Sequence, residues 1–258
     1  MRSALPFVQE TAPTFEAYGT MSLDEIYGDR LKELARLEVN TFHTLLFLNR
    51  GHRFEPVPLP AEAQWAPVFG LSVADFDGDG NEDVFLAQNF FALPLDETRQ
   101  DAGRGLVLRG DGRGTFVPVP GQESGVTVYG EQRGCAVCDY DHDGRVDLAV
   151  TQNGNATVLH RNQGATPGLR VAVRCGAANP GGIGSVLRVG DGHSWGPARE
   201  IHAGAGYWST DAPVQVMSLA NKPSKLWVRF PGGRTVLVDI PPSATALEVN
   251  SDGAVQAR

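Results

Sequence analysis

The chain has 258 residues, 41% of them hydrophobic, which is enough to bury a real core and excludes global disorder. Its 30 carboxylates against 22 Lys and Arg leave a formal charge of −8, which repels phosphate backbones and argues against nucleic acid as a partner. No apolar stretch approaches the ~20 residues that span a bilayer, and the opening MRSALPFVQETAP lacks the continuous apolar segment of a secretory signal. Either the chain is cytosolic or its native N-terminus lies elsewhere. The 31 Gly and 17 Pro are scattered between short apolar runs, which predicts an all-β fold of many short strands and turns.

Residues 1–44 form an N-terminal segment. Ser22 and Glu25 have capping-box spacing there, and Leu23, Ile26, Tyr27, Leu31 and Leu34 follow at helical spacing. One helix over about 22–38 is expected. From 45 to 165 a repeat dominates: GLSVADFDGDGNEDVFLAQN (70–89) matches GCAVCDYDHDGRVDLAVTQN (134–153) at an offset of 64. A second element, LFLNRGHRFEPVP (46–58), recurs as LVLRGDGRGTFVPVP (106–120), each reading as a strand, a Gly-containing turn and an aromatic with a Val-Pro exit. The unit is therefore hairpin, loop, strand, Asp-rich loop, strand, and a third copy begins at VLHRNQG (158–164) and stops. The strands after each Asp loop, 84–87 and 148–150, are apolar at successive positions, as suits radially stacked sheets covered on both faces in a β-propeller. GATPG then reads as a linker. Short strands at turn-punctuated spacing predict a separate all-β domain over 166–250, with 251–258 as a tail.

The Asp loops carry the chemistry. In DFDGDGNED, Asp75, Asp77 and Asp79 alternate, so a curled loop can turn all three carboxylates inward. Gly78 and Gly80 permit the curl, the backbone carbonyl of Asn81 supplies a further oxygen, and Asp83 closes the site. The second loop offers Asp139, Asp141, Asp143, the backbone carbonyl of Arg145, and Asp147, with His142 in place of the first Gly and facing solvent. Four carboxylates this close repel one another unless a cation sits among them, and six to eight hard oxygens at ~2.3–2.6 Å are what calcium takes. Magnesium keeps its waters and prefers fewer carboxylates. Two Ca2+ sites are expected. They are not EF-hands, since position 12 of each loop is Leu86 or Val150 in a strand rather than a bidentate Glu.

Other motifs have plainer readings. Cys135 and Cys138 lie in a predicted strand, where residues three apart face opposite sides, and no second Cys or His pair follows at zinc spacing. They are expected as small packing residues. Arg109-Gly110-Asp111 falls where the other hairpin has Asn49-Arg50-Gly51 and reads as its turn. His202, Ser209 and Asp211 are hydrolase residue types, but the Ser lacks a G-x-S-x-G elbow. The stretch 204–209 is expected to be a bulged strand whose Tyr207 and Trp208 fill the core or a small groove for a sugar or peptide.

The Asp loops, placed between strands of a repeated unit, resemble the FG-GAP or VCBS repeats of integrin α-subunit propellers. GIGSVLRV (182–189), REIHAGAGYWS (199–209) and WVRFPGG (227–233) resemble the ASPIC/UnbV domain. Together they look like the cartilage acidic protein family and its bacterial relatives, over about 45–249. The resemblance implies a calcium-dependent propeller that is secreted, periplasmic or on the cell surface, with a protein or carbohydrate partner and a binding rather than catalytic role. The alternative is an enzyme, or an accessory to a biosynthetic enzyme, with its site on the propeller face or in the ASPIC/UnbV domain. The chain departs from the family in having two full repeats, where a closed propeller needs at least four blades, and in lacking a signal. Both departures suggest a C-terminal fragment of a longer protein. Some family members are labelled RNA-binding, and no basic patch here supports that.

Overall fold

A computed structural model describes residues 5–35, 37–95 and 97–258. The chain divides into two compact units, Met1–Phe42 and His43–Arg258.

The first unit holds three short helices, α1 (Pro6–Thr11), α2 (Phe15–Thr20) and α3 (Leu23–Tyr27), and a 3-10 turn over Gly28–Glu33. Thr14 caps α2 by accepting from the Ala17 N–H at 3.0 Å. Ser22 and Glu25 form the expected capping box, with the Ser22 N–H donating to Glu25 Oε2 at 2.7 Å. The single helix over 22–38 is not what forms. Gly28 takes φ +55, which α-helical backbone does not allow, so the helix ends at Tyr27 and the chain tightens into the 3-10 turn. Leu23 and Leu34 are accordingly exposed, while Val8, Ala12 and Ile26 are buried. Phe7 meets Tyr27 edge-on at 5.7 Å.

The second unit is all-β. β1 (Leu45–Asn49) and β2 (Phe54–Pro58) form a two-stranded hairpin. A four-stranded antiparallel meander follows: β3 (Val68–Ala74), β4 (Asp83–Gln88), β5 (Leu106–Gly110) and β6 (Phe116–Val119). After a helical turn, α4 (Gly121–Ser124), come the three strands of a second meander: β7 (Gln132–Cys138), β8 (Asp147–Gln152) and β9 (Asn155–His160). The Asp-rich loops join β3 to β4 and β7 to β8. The hairpin that repeats in the sequence thus follows its Asp loop within a sheet instead of preceding it, because β5 pairs with β4 through Val84↔Leu108. Residues 158–164 likewise do not open a third unit, since Leu148↔His160 makes β9 the third strand of the second sheet.

β3 and β7 lie side by side without sharing a sheet. Gly70 is required there, because a Cβ would stand 2.8 Å from the Arg133 carbonyl oxygen. Ser72 Oγ donates to Cys135 Sγ across the same contact at 3.2 Å. Phe85, Ala87, Cys135, Leu148 and Val150 form the core between the two meanders.

The remaining strands are β10 (Leu169–Arg174), β11 (Val186–Gly190), β12 (Arg199–Glu200), β13 (Gln215–Met217), β14 (Lys225–Arg229), β15 (Thr235–Asp239), β16 (Ala246–Asn250) and β17 (Val255–Ala257). They form two four-stranded sheets, β13-β10-β16-β17 and β12-β11-β14-β15. One side chain in two along β10, β14 and β16 is buried, and these residues build one core with β11, Met217 and Val238. Residues 251–258 are not a free tail, because β17 pairs with β16 through Val249↔Val255. Residues 43–258 fall in one unit, within which Leu169 to Val249 build a core of their own. The charged side chains of Arg170 and Arg199 and the backbone at 166–168 and 212 bond directly to the Asp loops and to β7.

Candidate metal centres

Each Asp loop is wound by its first aspartate. Asp75 Oδ1 accepts from the N–H groups of Gly78 (2.7 Å) and Asp79 (3.1 Å), and Oδ2 accepts from Gly80 (2.9 Å). Asp139 repeats this, accepting from Asp143 (3.0 Å) and Gly144 (3.1 Å). The last aspartate joins the loop to the sheet. Asp83 accepts from Phe76 N–H at 2.8 Å and Gly110 N–H at 2.9 Å, and Asp147 from Tyr140 N–H at 3.1 Å and Asn162 N–H at 2.8 Å. Gly110 and Asn162 therefore hold the same place in the two sheets.

Positive backbone angles complete the curl. Gly78 has φ +79 and His142 has φ +67 at the matching position. The His142 side chain is exposed, whereas a Cβ at Gly78 would stand 2.3 Å from the Thr166 carbonyl oxygen. The two loops share the 166–168 segment as a strut: Thr166 N–H donates to the Asp77 carbonyl at 3.1 Å, and Gly168 N–H to the Gly144 carbonyl at 2.8 Å.

Two trios of carboxylates result. Asp75, Asp77 and Asp83 bring one oxygen each within 4.8 Å of the others, and Asp139, Asp141 and Asp147 do the same. Oxygens facing each other across an ion at about 2.4 Å stand about 4.8 Å apart, so each trio is close enough to share one cation. Neither the Asn81 nor the Arg145 carbonyl accepts a hydrogen bond among the described residues. Asp79 and Asp143 are not gathered in. Asp79 Oδ1 caps the Asn81 N–H at 2.7 Å and Oδ2 accepts from Asn81 Nδ2 at 3.0 Å, while Asp143 pairs with Arg145 at 3.0 Å. These local bonds and repulsion from three carboxylates act in the same direction and keep the fourth aspartate out.

The electrostatics favour a cation. Asp75 is 3% exposed and Asp83 2%, and burial pushes the Asp83 carboxyl up to about 6, with repulsion from Asp77 and Asp75 adding to it. Burial raises Asp75 and Asp147 as well. In both trios a guanidinium stands in as the cation: Arg109 Nε lies 2.9 Å from Asp77, and Arg161 Nε 2.6 Å from Asp141. A hard oxygen set that already attracts cations fits a divalent ion.

Sequence reasoning missed these arginines. It also missed Arg170, 2.5 Å from Asp139, and Arg199, which is paired with Glu82 at 2.7 Å. A signal for two of them was present, since an Arg recurs in each hairpin copy as Arg50, Arg109 and Arg161.

The other candidates separate. Ser209 Oγ donates to the Tyr207 carbonyl, Asp211 accepts from Val137 N–H, and His202 Nδ1 lies 3.9 Å from Glu200, so no triad is assembled. Residues 204–209 form a turn, not a bulged strand, with Trp208 at φ +49. Tyr207 is 51% exposed and Trp208 92%, so they fill no core. The backbone of this turn covers β7 instead: a Cβ at Gly134 would meet the Tyr207 carbonyl oxygen at 2.8 Å, and Ala212 N–H donates to the Val137 carbonyl. It contacts β7 much as β7 contacts β3. Arg109 and Gly110 end β5, and Asp111 caps the following turn by accepting from Arg113 N–H at 2.7 Å. Burial raises Cys135 to about 11 and also raises Cys138, so both thiols stay protonated at neutral pH.

The chain matches no protein-family profile and no curated protein.

Proposed function

We propose that the chain binds two calcium ions, one in each Asp loop, and works as a calcium-stabilised, non-catalytic interaction module. The observation that carries this is the same trio of carboxylates built twice, at equivalent strand ends, with buried members close enough to share an ion. Asp75, Asp77 and Asp83 hold one ion and Asp139, Asp141 and Asp147 the other, with the carbonyls of Asn81 and Arg145 as further donors. Magnesium is the poorer fit, because it demands a tight octahedron at ~2.0–2.1 Å and gives up its waters reluctantly.

Bound calcium neutralises carboxylates that otherwise repel one another, and it fixes each loop against the 166–168 strut. The two antiparallel meanders, whose leading strands β3 and β7 lie side by side, support reading them as propeller blades of the FG-GAP or VCBS type. On that reading the β10–β17 sheets correspond to the ASPIC/UnbV domain. A setting outside the cytoplasm with a protein or carbohydrate partner belongs to the same proposal, since calcium sites of extracellular modules bind at ~0.1–1 mM. Native mass spectrometry of Asp77→Ala, Asp141→Ala and the double variant tests it. Two ions in the parent, one in each single variant and none in the double are expected; unchanged stoichiometry in the variants refutes the assignment.

A further inference from the structure

Between the two meanders lies a cavity of about 500 Å³ that is separate from the β3–β7 contact. Its floor is apolar, with Phe76, Val107, Val126, Val146 and Leu148 among its lining, and α4 stands at its edge with Gln122 exposed. The polar wall is of mixed charge: Arg109 and Arg161, about half exposed, line it from the two sheets beside the carboxylates of Asp77, Asp83 and Glu123. His160 lines it too, and its Nε2 is buried without a hydrogen-bond partner among the described residues. The volume and the combination of an apolar floor with a few convergent polar groups are those of a small-molecule site.

We propose that this cavity binds an anionic amphiphile, a small molecule with an apolar body and a carboxylate or sulfonate head, held by Arg109 and Arg161. The proposal rests on the calcium reading in one respect. Both guanidiniums are now held by aspartates of the trios, Arg109 by Asp77 and Arg161 by Asp141, and a divalent ion on those aspartates competes with them for the same carboxylates. Calcium therefore neutralises the aspartates that hold both guanidiniums, and the wall shifts towards positive charge, with Glu123, among the described residues, the one lining carboxylate left outside the trios. Leu108 and His160, the residues before Arg109 and Arg161, pair with the matching positions Val84 and Leu148, so each sheet brings one Arg to the same cavity.

Fluorescence titration with 8-anilinonaphthalene-1-sulfonate tests the proposal, with uncharged N-phenyl-1-naphthylamine as the matched control. The calcium-saturated chain is expected to bind one sulfonate probe, at least tenfold more tightly than the chelator-treated chain. A hydrogen bond to a charged group contributes about tenfold in affinity or more, so Arg109→Gln and Arg161→Gln should each weaken the sulfonate probe by about that factor and leave the neutral probe unchanged. Gln122→Trp, which keeps every charge and fills the edge of the cavity, should weaken both probes. Calcium affinity, measured calorimetrically on the same samples, should rise in the two Arg variants because a competing cation has been removed. Calcium binding with no effect on the sulfonate probe overturns this inference and leaves the metal reading intact. Absence of calcium binding overturns the metal reading itself. Sulfonate binding that ignores both Arg variants and Gln122→Trp places the probe elsewhere and also overturns the inference.

Discussion

Asp83→Asn separates the two roles of a buried ligand carboxylate. In the metal-free chain the substitution keeps the shape and removes a charge that burial already disfavours. One of the two N–H donors, Phe76 or Gly110, then faces the new amide NH2, at a cost of about 1 kcal/mol that the relief of repulsion offsets. The metal-free melting temperature should therefore move by no more than about 4 °C. In calcium at 100-fold over Kd, each ion contributes about 2.7 kcal/mol in the parent chain. Losing one site should lower the melting temperature by about 5–11 °C for a unit of this size. Differential scanning calorimetry of parent and variant, in chelator and in calcium, reads both values. An equal drop in the two media would refute the argument, because it would make Asp83 a structural hydrogen-bond acceptor only.

Acidity should act in opposite directions with and without the ion. A carboxyl whose folded pKa is raised binds its proton more tightly when folded. Asp83, joined by Asp75 and Asp147, therefore stabilises the metal-free chain as pH falls from 7 through about 6, the value for Asp83, against the smaller opposing effect of His160, whose pKa burial lowers. Calcium affinity should weaken over the same interval, since the ion needs the ionised form; thermal melts at pH 7.5 and 5.5 that show one common trend contradict this. Gly78→Ala should destabilise by more than about 2 kcal/mol, as φ +79 and a 2.3 Å approach to Thr166 both oppose a Cβ, whereas Gly154→Ala at φ +72 in open space should lose only about 1 kcal/mol. Urea melts that rank the pair the other way would remove the strut from the account. Cys135 should resist a thiol reagent in the native chain and react only on unfolding, and Cys135→Ala should leave bound metal unchanged; a fall in metal content would point to a thiolate site.

The repeat and the identity of the loop aspartates were legible in the sequence because both depend on local spacing. The phase of the repeat was not, since a direct repeat reads the same from any starting strand; only the Val84↔Leu108 pairing shows that the hairpin follows its Asp loop. The partition within each loop was hidden for a similar reason. Alternation places Asp75, Asp77 and Asp79 on one curl, yet the Asn81 N–H draws Asp79 out of the trio. Arg109 and Arg161 reach the trios only through strand register, far from the aspartates along the chain. In the N-terminal unit the apolar spacing suggested one long helix, and a single glycine at φ +55 divided it. Aromatic residues at 207 and 208 suggested core packing or a groove; both side chains are exposed, which leaves the packing to the backbone of that turn.

Calorimetric titration of the chelator-stripped chain with calcium, repeated with magnesium, decides whether both loops are calcium sites. Two calcium ions per chain at sub-millimolar affinity, much weaker magnesium binding, and a rise in melting temperature on loading are expected. No heat of calcium binding and no thermal shift would contradict this and leave the two trios as acidic turns neutralised by Arg109 and Arg161.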